Sequence, residues 1–437
     1  MFPEALCIAL SQLQANAPVH SFSYTQSEVL REFGQSIDIM FDSFEKDPIA
    51  SGSIAQVYRA VYNNQKVAVK VRHPNVEMQI KMDFDIMNAI IVCVENFFGL
   101  DWLNLSESMI QFSHTIASQT DLEVESYHLQ LFEENFRGWK VFNFPKPILT
   151  KKSIIIESFL PGDHVSSLID LVKQQQQTDD GKYPIQLIDA AHFIVTRGED
   201  LYLKMLIQDN LMHADMHPGN IFLQLIPKKP VDDSLKDIDK YWMFNRQNMN
   251  YEIGLVDAGM VAILTESEKR NFIGLLEAMG EGDGIEAADC VLEFSLANRQ
   301  QKIQSDDEYN KRNNDFRVDM SNLFKKISRG YGTNVDIGEV LRGILTLIRK
   351  HHITIDTNYA TLVMNALCLD SLAKSLLPTY SILDGAKLLL RLNRRAKRLP
   401  SFMRTIAMKV VFPTMLRMKH MQDQWFLKKT KVDHTLL

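Results

Sequence analysis

The chain has 437 residues, an apolar share of 46%, a charged share of 23% and a formal net charge of −6. That length calls for more than one hydrophobic centre, so two lobes are expected, and the acidic balance argues against a general nucleic-acid binder. Cys7, Cys93, Cys290 and Cys368 are scattered with no C-x-x-C pair, which points to buried thiols in a reducing compartment rather than to disulfides or zinc.

No apolar run reaches the roughly 18–20 residues that a bilayer-spanning helix needs. Residues 86–100 and 402–416 come nearest, and Asn88, Glu95, Arg404 and Lys409 interrupt them. The start carries neither a secretory leader nor an Arg-rich presequence, and Met1 opens almost directly on Leu6, Ala9, Leu10 and Leu13 at helical spacing. The sequence is therefore expected to begin inside a longer domain.

Residues 1–45 read as helical, with Ser27 as N-cap for residues 28–33 and Gly34 as C-cap. From Ile49 the texture changes. Ser51-Gly52-Ser53-Ile54-Ala55-Gln56-Val57-Tyr58 leads to the turn signal Asn63-Asn64, and Lys66-Val67-Ala68-Val69-Lys70-Val71 follows. The alternation and β-branched content predict a hairpin. A small-residue turn between strands lets backbone N–H groups approach phosphates and leads to a lysine on the next strand but one. Lys70 is the candidate, neutralising the α- and β-phosphates; the plainer reading, an exposed strand lysine, is outweighed by the turn upstream. Ile49, Ala50, Ser51, Gly52, Ser53, Val57 and Lys70 are the nucleotide-binding candidates of this stretch.

His73-Pro74 ends the strand, and residues 76–98 are helical by the recurrence of Met78, Ile80, Met82, Phe84, Ile86, Met87, Ile90 and Ile91. A second helix begins near Ser106 and runs with breaks to Phe136, holding Asp121, Glu123 and Glu125 close together. A phosphate-binding lysine needs a carboxylate to fix its position, and Glu125 is the candidate. From spacing alone, a solvated acidic face is the simpler account of the three. Ser153-Ile154-Ile155-Ile156-Glu157 reads as a buried strand leaving through Phe159-Leu160-Pro161-Gly162. A two-lobed kinase offers backbone groups to adenine at such a turn, and Glu157, Ser158 and Phe159 take that hinge position, although any strand ending at Pro-Gly would look the same.

Residues 174–181, with four consecutive glutamines, are low-complexity. Residues 185–208 form a long helix running into His213-Ala214-Asp215-Met216-His217-Pro218-Gly219-Asn220. Ile221-Phe222-Leu223 and Ile253-Gly254-Leu255-Val256 read as strands, the second delivering Asp257-Ala258-Gly259, and residues 227–250 lengthen the turn between them. A loop with D-x-x-x-x-N, then a strand ending in D-x-G, is the arrangement phosphotransferases use to hold a nucleotide's metal ions. Asp215 then lies near the attacking hydroxyl, while Asn220 takes one Mg²⁺ and Asp257 the other. His213, Asp215 and His217 form a competing zinc set, which leaves Asn220 and Asp257 unexplained. Small-molecule kinases of the aminoglycoside or choline type share H-x-D-x-x-x-x-N but not the Ile54-Ala55-Gln56-Val57 turn.

From Ser267 onward the pattern is helical, broken at Gly280 to Gly284, Pro378, Pro400 and Pro413. No A-P-E follows Asp257-Ala258-Gly259, so the peptide-docking loop of protein kinases is missing. The basic residues from Lys387 to Lys431 face a single acid, Asp423, and Phe402, Met403, Ile406, Ala407, Val410 and Val411 share one helix face. Such a segment suits an anionic membrane surface; the alternative is a helix packed on the C-terminal lobe with its basic side solvated.

These residues resemble the UbiB/AarF-domain (ADCK) atypical kinases, and most of all the subgroup called AarF-domain-containing kinase 2. The resemblance spans nearly the whole chain, from Phe2 to Leu392. It rests on Pro48 to Tyr58, Val67-Ala68-Val69-Lys70, Asp121 to Glu125, His213 to Asn220 and Leu255 to Gly259. It implies an α+β, two-lobed protein-kinase-like fold with a small mixed β-sheet N-lobe bearing extra helices and a mainly helical C-lobe. The division expected is a helical extension at 1–45, the N-lobe at 46–160, the C-lobe at 161–392 and a basic helical tail at 393–437. The resemblance also implies an ATP- and Mg²⁺-dependent kinase or ATPase whose alanine-rich nucleotide loop maps onto Ala50-Ser51-Gly52-Ser53 and whose helix C glutamate maps onto Glu125. The family's E-x-D motif maps onto Gln119-Thr120-Asp121, with Gln in place of Glu, and its K-x-G-Q cover segment finds no match. Family members support coenzyme Q biosynthesis or lipid metabolism at membranes of mitochondria or bacteria. That implies a lipid or small-molecule acceptor, coenzyme Q biosynthesis proteins as partners, and a mitochondrial, peripheral membrane location. The departures at Gln119 and the cover segment keep a second outcome open: a nucleotide-gated lipid-binding or chaperone-like protein without turnover.

Overall fold

The computed structural model describes residues 19–98, 105–176, 185–228, 249–294, 307–327, 330–333, 335–353, 357–397, 400, 403, 410–415 and 419. The chain forms two units, Met1–Leu168 with His217–Val261, and Ile169–Met216 with Ala262–Leu437. In chain order the elements begin with α1 (Phe22–Phe33), α2 (Ile37–Met40), β1 (Ser43–Phe44), β2 (Ala50–Ser51), β3 (Ala55–Tyr62) and β4 (Gln65–Arg72). Then come α3 (Val76–Phe98), α4 (Leu105–Ser118), α5 (Leu122–Phe136), β5 (Phe142–Asn143), β6 (Pro147–Lys151), β7 (Ile154–Ser158) and β8 (Asp163–His164). α6 (Val165–Gln176), α7 (Ile185–Lys204), β9 (Leu211–His213), β10 (Ile221–Pro227), β11 (Met249–Leu255) and β12 (Val261–Ile263) follow. The last described helices are α8 (Glu266–Glu281), α9 (Gly284–Glu293), α10 (Asp307–Ile327), α11 (Ile337–Lys350), α12 (Thr357–Leu376) and α13 (Ile382–Lys397).

In the first unit, β1, β3, β4, β7 and β6 lie side by side in that order with β2 on β3, every pair antiparallel. Asn63 and Asn64, at φ 50° and 61°, supply the two-residue turn that suits the twist of β3 and β4. The two-residue period of the strands then sorts the side chains. Val67, Val69, Val71, Ile154, Ile156 and Tyr58 pack on Val29 of α1 and Ile37 of α2. The opposite face carries Val57, Lys70 and Ile155 in one row and Arg59, Ala68 and Glu157 in the next. A second sheet, β5-β11-β10-β8, contains the parallel pair β5–β11, so the strands of this unit are mixed.

One local expectation is corrected. Ser21, in extended backbone, caps α1 by accepting from the Tyr24 N–H; Ser27 lies inside the helix, its hydroxyl bonded to the Tyr24 carbonyl, as a mid-helix serine commonly is. Gly34 does end α1, at φ 71° with its N–H on the Leu30 carbonyl. In α3 the apolar recurrence marks a helix but not its buried face: Met78, Met82, Ile86 and Ile90 are 55% to 60% exposed, while Phe84 is buried and meets Phe112 of α4 edge-on.

In the second unit α7 is buried along most of its length and passes into a π-helical turn, Met205–Asp209, that ends at Asn210 with φ 55°. β9 and β12 pair as a ribbon. Thr265 and Glu268 form a capping box at the start of α8, and Asp283 and Asp336 cap α9 and α11. Much of the basic C-terminal segment lies outside the described residues, as do 177–184 and 229–248. Four of the basic residues that are described are engaged. Lys387 and Arg391 lie over the Tyr331 ring, Arg394 pairs with Glu281, and Lys419 is buried against Glu199 and Asp200 at 2.7 and 3.2 Å. No helix among the described residues is long and apolar enough to cross a membrane.

Candidate functional site

β4 brings Lys70 out on the sheet face away from α1, where its side chain is 15% exposed. Its Nζ lies 3.0 and 2.8 Å from the two carboxylate oxygens of Glu125 and 2.9 Å from Asp257 Oδ1. Asp121 sets up this meeting by capping α5 through the Glu123 N–H, which fixes the first turn and turns Glu125 inward. A helix N-terminus also favours a carboxylate there. One turn further, His128 Nδ1 donates to the Ala258 carbonyl at 2.9 Å, so a single face of α5 holds both the lysine and the turn after β11. Burial works against the charge on Lys70, but Asp257 and then Glu125 outweigh it and hold the ammonium above the ordinary lysine range. Burial pushes the Glu125 carboxyl upward against the pull of Lys70.

Asn220 and Asp257 come from adjacent ends of one ladder. Ile221 pairs with Leu255, and the Val256 N–H donates to the Asn220 carbonyl at 3.0 Å. Asp257 itself takes the left-handed conformation, φ 62°, with its side chain 49% exposed. The following glycine has room for a methyl group, whose nearest neighbours would be Asp257 Oδ1 at 3.5 Å and Gln119 Cγ at 3.8 Å. One carboxylate and one amide oxygen fit Mg²⁺, which keeps waters and takes its remaining ligands from phosphates rather than from an all-protein cage. Among the described residues no group of three or more His, Cys, Asp or Glu side chains is placed to hold a metal. His213 Nδ1 accepts from the Asp215 N–H and His217 Nδ1 from the Gly219 N–H, each ring shaping its own stretch of loop.

Asp215 is exposed and belongs to the second unit, one residue before Met216 ends that segment. Its loop is anchored by Asn365 of α12, whose Nδ2 donates to the buried His213 carbonyl at 2.7 Å.

The nucleotide-loop candidates lie on β2, β3 and the turn between. Ile49 N–H donates to the Val57 carbonyl and Gly52 N–H to Ala55, at 2.8 and 2.9 Å. A methyl at Gly52 would touch only the Ala55 carbonyl, at 3.7 Å, so nothing there demands glycine. At the hinge, the Ser158 and Phe159 N–H groups donate to the Lys146 and Lys66 carbonyls, and the Phe159 ring lies under Arg59 at 5.0 Å. Those two amides bond within the sheet. Glu157 is 8% exposed, and its Oε2 has no hydrogen-bond partner. Burial, then the Glu125 charge, pushes its carboxyl up to about 8. The alternation of β7 could have revealed this, since Ile155 opposite Lys70 puts Glu157 on the same face. Gln119 carries a buried side-chain N–H group, Nε2, without a partner. Sequence reasoning overlooked His73 and His20, which bond to each other and, through His73, to the Gly52 carbonyl; a strand-ending His-Pro was the only local signal.

The fold agrees with what the chain is similar to. A family model describing an ABC1 atypical kinase-like domain matches residues 12–290. A probable serine/threonine-protein kinase of Dictyostelium discoideum is 31% identical over 88% of this chain and 60% of that protein. A mitochondrial ABC1 family protein of Schizosaccharomyces pombe is 28% identical over 90% and 61%, and a probable protein kinase UbiB of Histophilus somni 24% identical over 89% and 65%. The chain thus spans 60% to 65% of the length of these relatives. Among solved structures, a Mycobacterium tuberculosis protein in complex with erythromycin shares the fold, with a TM-score of 0.52 at 16% identity over 88% of this chain and 86% of that one. On the match to its family model, the chain belongs to the UbiB/AarF family of ABC1 atypical kinase-like proteins and has a kinase-like fold.

Proposed function

We propose that the chain is an ATP- and Mg²⁺-dependent atypical kinase or ATPase that acts on, or together with, lipid or small-molecule metabolism at a mitochondrial membrane, in coenzyme Q biosynthesis. The observation that carries the nucleotide reading is the meeting of Lys70 with Glu125 and Asp257, beside a ladder end that sets Asn220 next to Asp257. Lys70, kept cationic by its two carboxylates, binds phosphate oxygens. Glu125 fixes the height of Lys70 from α5. Asn220 and Asp257 are the residues to hold Mg²⁺, which when bound offsets phosphate charge as it develops during transfer. Asp215 orients and deprotonates the attacking hydroxyl or water. Ile49 to Ser53 and Val57 form the loop over the phosphates, while Glu157 and Phe159 border the base.

Mitochondrial and UbiB relatives support the compartment and the metabolic setting. The absence of A-P-E from the sequence supports an acceptor other than a protein segment. Asp257→Asn is expected to weaken Mg²⁺-dependent ATP binding by at least about tenfold, measured by titration calorimetry with and without Mg²⁺. Unchanged binding and turnover in this variant would falsify the assignment. The buried amide of Gln119, standing where the family resemblance implies a carboxylate, favours a second reading, a nucleotide-gated lipid-binding or chaperone-like protein. ATP turnover with and without anionic liposomes separates the two, since a binding module binds ATP but releases no phosphate.

A further inference from the structure

A hydrogen-bond relay runs from the nucleotide loop into the segment just before α1, and it has one direction. The Gly52 carbonyl can only accept, so His73 Nε2, 2.9 Å away, carries the proton. With that proton as the only one on the His73 ring, its Nδ1 is bare, and His20 Nδ1, at 2.7 Å, donates to it. That leaves His20 Nε2 as an acceptor for the Thr25 hydroxyl at 2.9 Å. Thr25 accepts in turn from the Tyr58 hydroxyl at 2.8 Å, and Tyr58 accepts from the Gln56 amide. Gln56 closes the circuit on the His20 backbone, donating to its carbonyl at 3.2 Å and accepting from its N–H at 3.0 Å. Thr25, Gln56 and Tyr58 are fully buried. His73 also donates its own backbone N–H to the Ile54 carbonyl at 2.8 Å. One residue therefore grips the backbone on both sides of Ser53, and it follows Lys70 by three positions at the end of the same strand.

We propose that His73 is a positioning residue for the nucleotide loop, holding Gly52-Ser53-Ile54 at a set height relative to Lys70, and that His20 fixes the tautomer of His73 and so makes the segment ahead of α1 part of the brace. The proposal rests on the nucleotide reading given above. A loop whose amides must converge on phosphates loses conformational freedom on binding, and a loop ordered beforehand loses less. The tautomer matters because only an Nε2–H can reach the Gly52 carbonyl. Burial, then the neighbouring His73, drives His20 down to about 4, so His20 stays neutral and its Nε2 stays free to accept.

The test uses the full chain with His73→Leu, which removes the donor, His73→Gln, which restores an N–H near the position of Nε2, and His20→Leu, which frees the His73 ring to turn. Amide hydrogen exchange at residues 52–54 without nucleotide and ADP·Mg²⁺ affinity by calorimetry are the two readouts. Faster exchange and about tenfold weaker binding are expected for His73→Leu and His20→Leu, with His73→Gln recovering most of both. Unchanged exchange in His73→Leu would overturn the brace. Faster exchange at constant affinity, or failure of His73→Gln to rescue, would overturn the positioning role. If His73→Leu does not fold, His20→Leu carries the same two readouts. A wild-type chain that bound no ADP·Mg²⁺ would instead refute the nucleotide reading, and the exchange comparison would then decide the brace by itself.

Discussion

Glu157 stands on the Lys70 face of the sheet with one carboxylate oxygen unpartnered, and its proton has thermodynamic consequences. Unfolded, such a carboxyl ionises near 4.5; in the fold burial and the Glu125 charge hold the proton to about 8. Across that window the unfolded chain releases a proton that the folded chain keeps, so the contribution to stability is whole below 4.5 and is lost as pH rises to about 8. Glu199, pushed up to about 7 chiefly by burial, acts in the same direction. His20 acts in the other: its contribution is whole above 6.5 and is lost as pH falls from there to about 4. The melting temperature of the wild type is therefore expected to fall between pH 6.5 and 8, and Glu157→Gln should make that fall shallower. Parallel melting profiles for the two proteins would mean that Glu157 is already ionised in the fold.

At the scale of elements, the turn out of β7 depends on a glycine. Gly162 has φ 132°, and a methyl there would come within 2.6 Å of the Leu223 carbonyl oxygen on β10, the strand that begins beside Asn220. Backbone cannot yield as a flexible side chain does, so Gly162→Ala is expected to cost about 1–3 kcal/mol in denaturant melts. Gly52→Ala, which meets only ordinary contact, should stay within about 0.5 kcal/mol of wild type. Equal destabilisation of the two variants would show that the crowding at Gly162 relaxes freely. The elements nearest the site were legible in the chain because their signals are local. Asn63-Asn64 announces the hairpin, the period-two run to Lys70 announces its second strand, and a short apolar run on each side of the insertion announces the β10–β11 ladder. What escaped was set by partners distant in sequence. The outward apolar row of α3 repeats like a core face, and only packing tells the two apart. His20 and His73 lie 53 positions apart, and Lys419 reaches Glu199 across 220, so no window of sequence contains either pair. Glu125 drew two readings because spacing cannot distinguish a solvated acid from one facing a lysine 55 positions away.

For the whole molecule, the discontinuity of the first unit is the feature with the widest reach. Its closing segment, His217–Val261, carries β10 and β11, and with them Asn220 and Asp257. A ribosome therefore finishes Lys70 and Glu125 long before it makes the residues that complete their surroundings, and the second unit's first segment emerges in between. An excised fragment of residues 1–168 would leave the Lys70–Glu125 pair without Asp257, expose the edge of β8 that β10 covers, and is expected to aggregate or to unfold without cooperativity in thermal scans. Supplying residues 217–261 in trans, or joining them to residue 168 by a flexible linker, should restore a cooperative melt. A cooperative transition from the fragment alone would show that vectorial synthesis gives the growing chain a finished unit earlier than its topology allows.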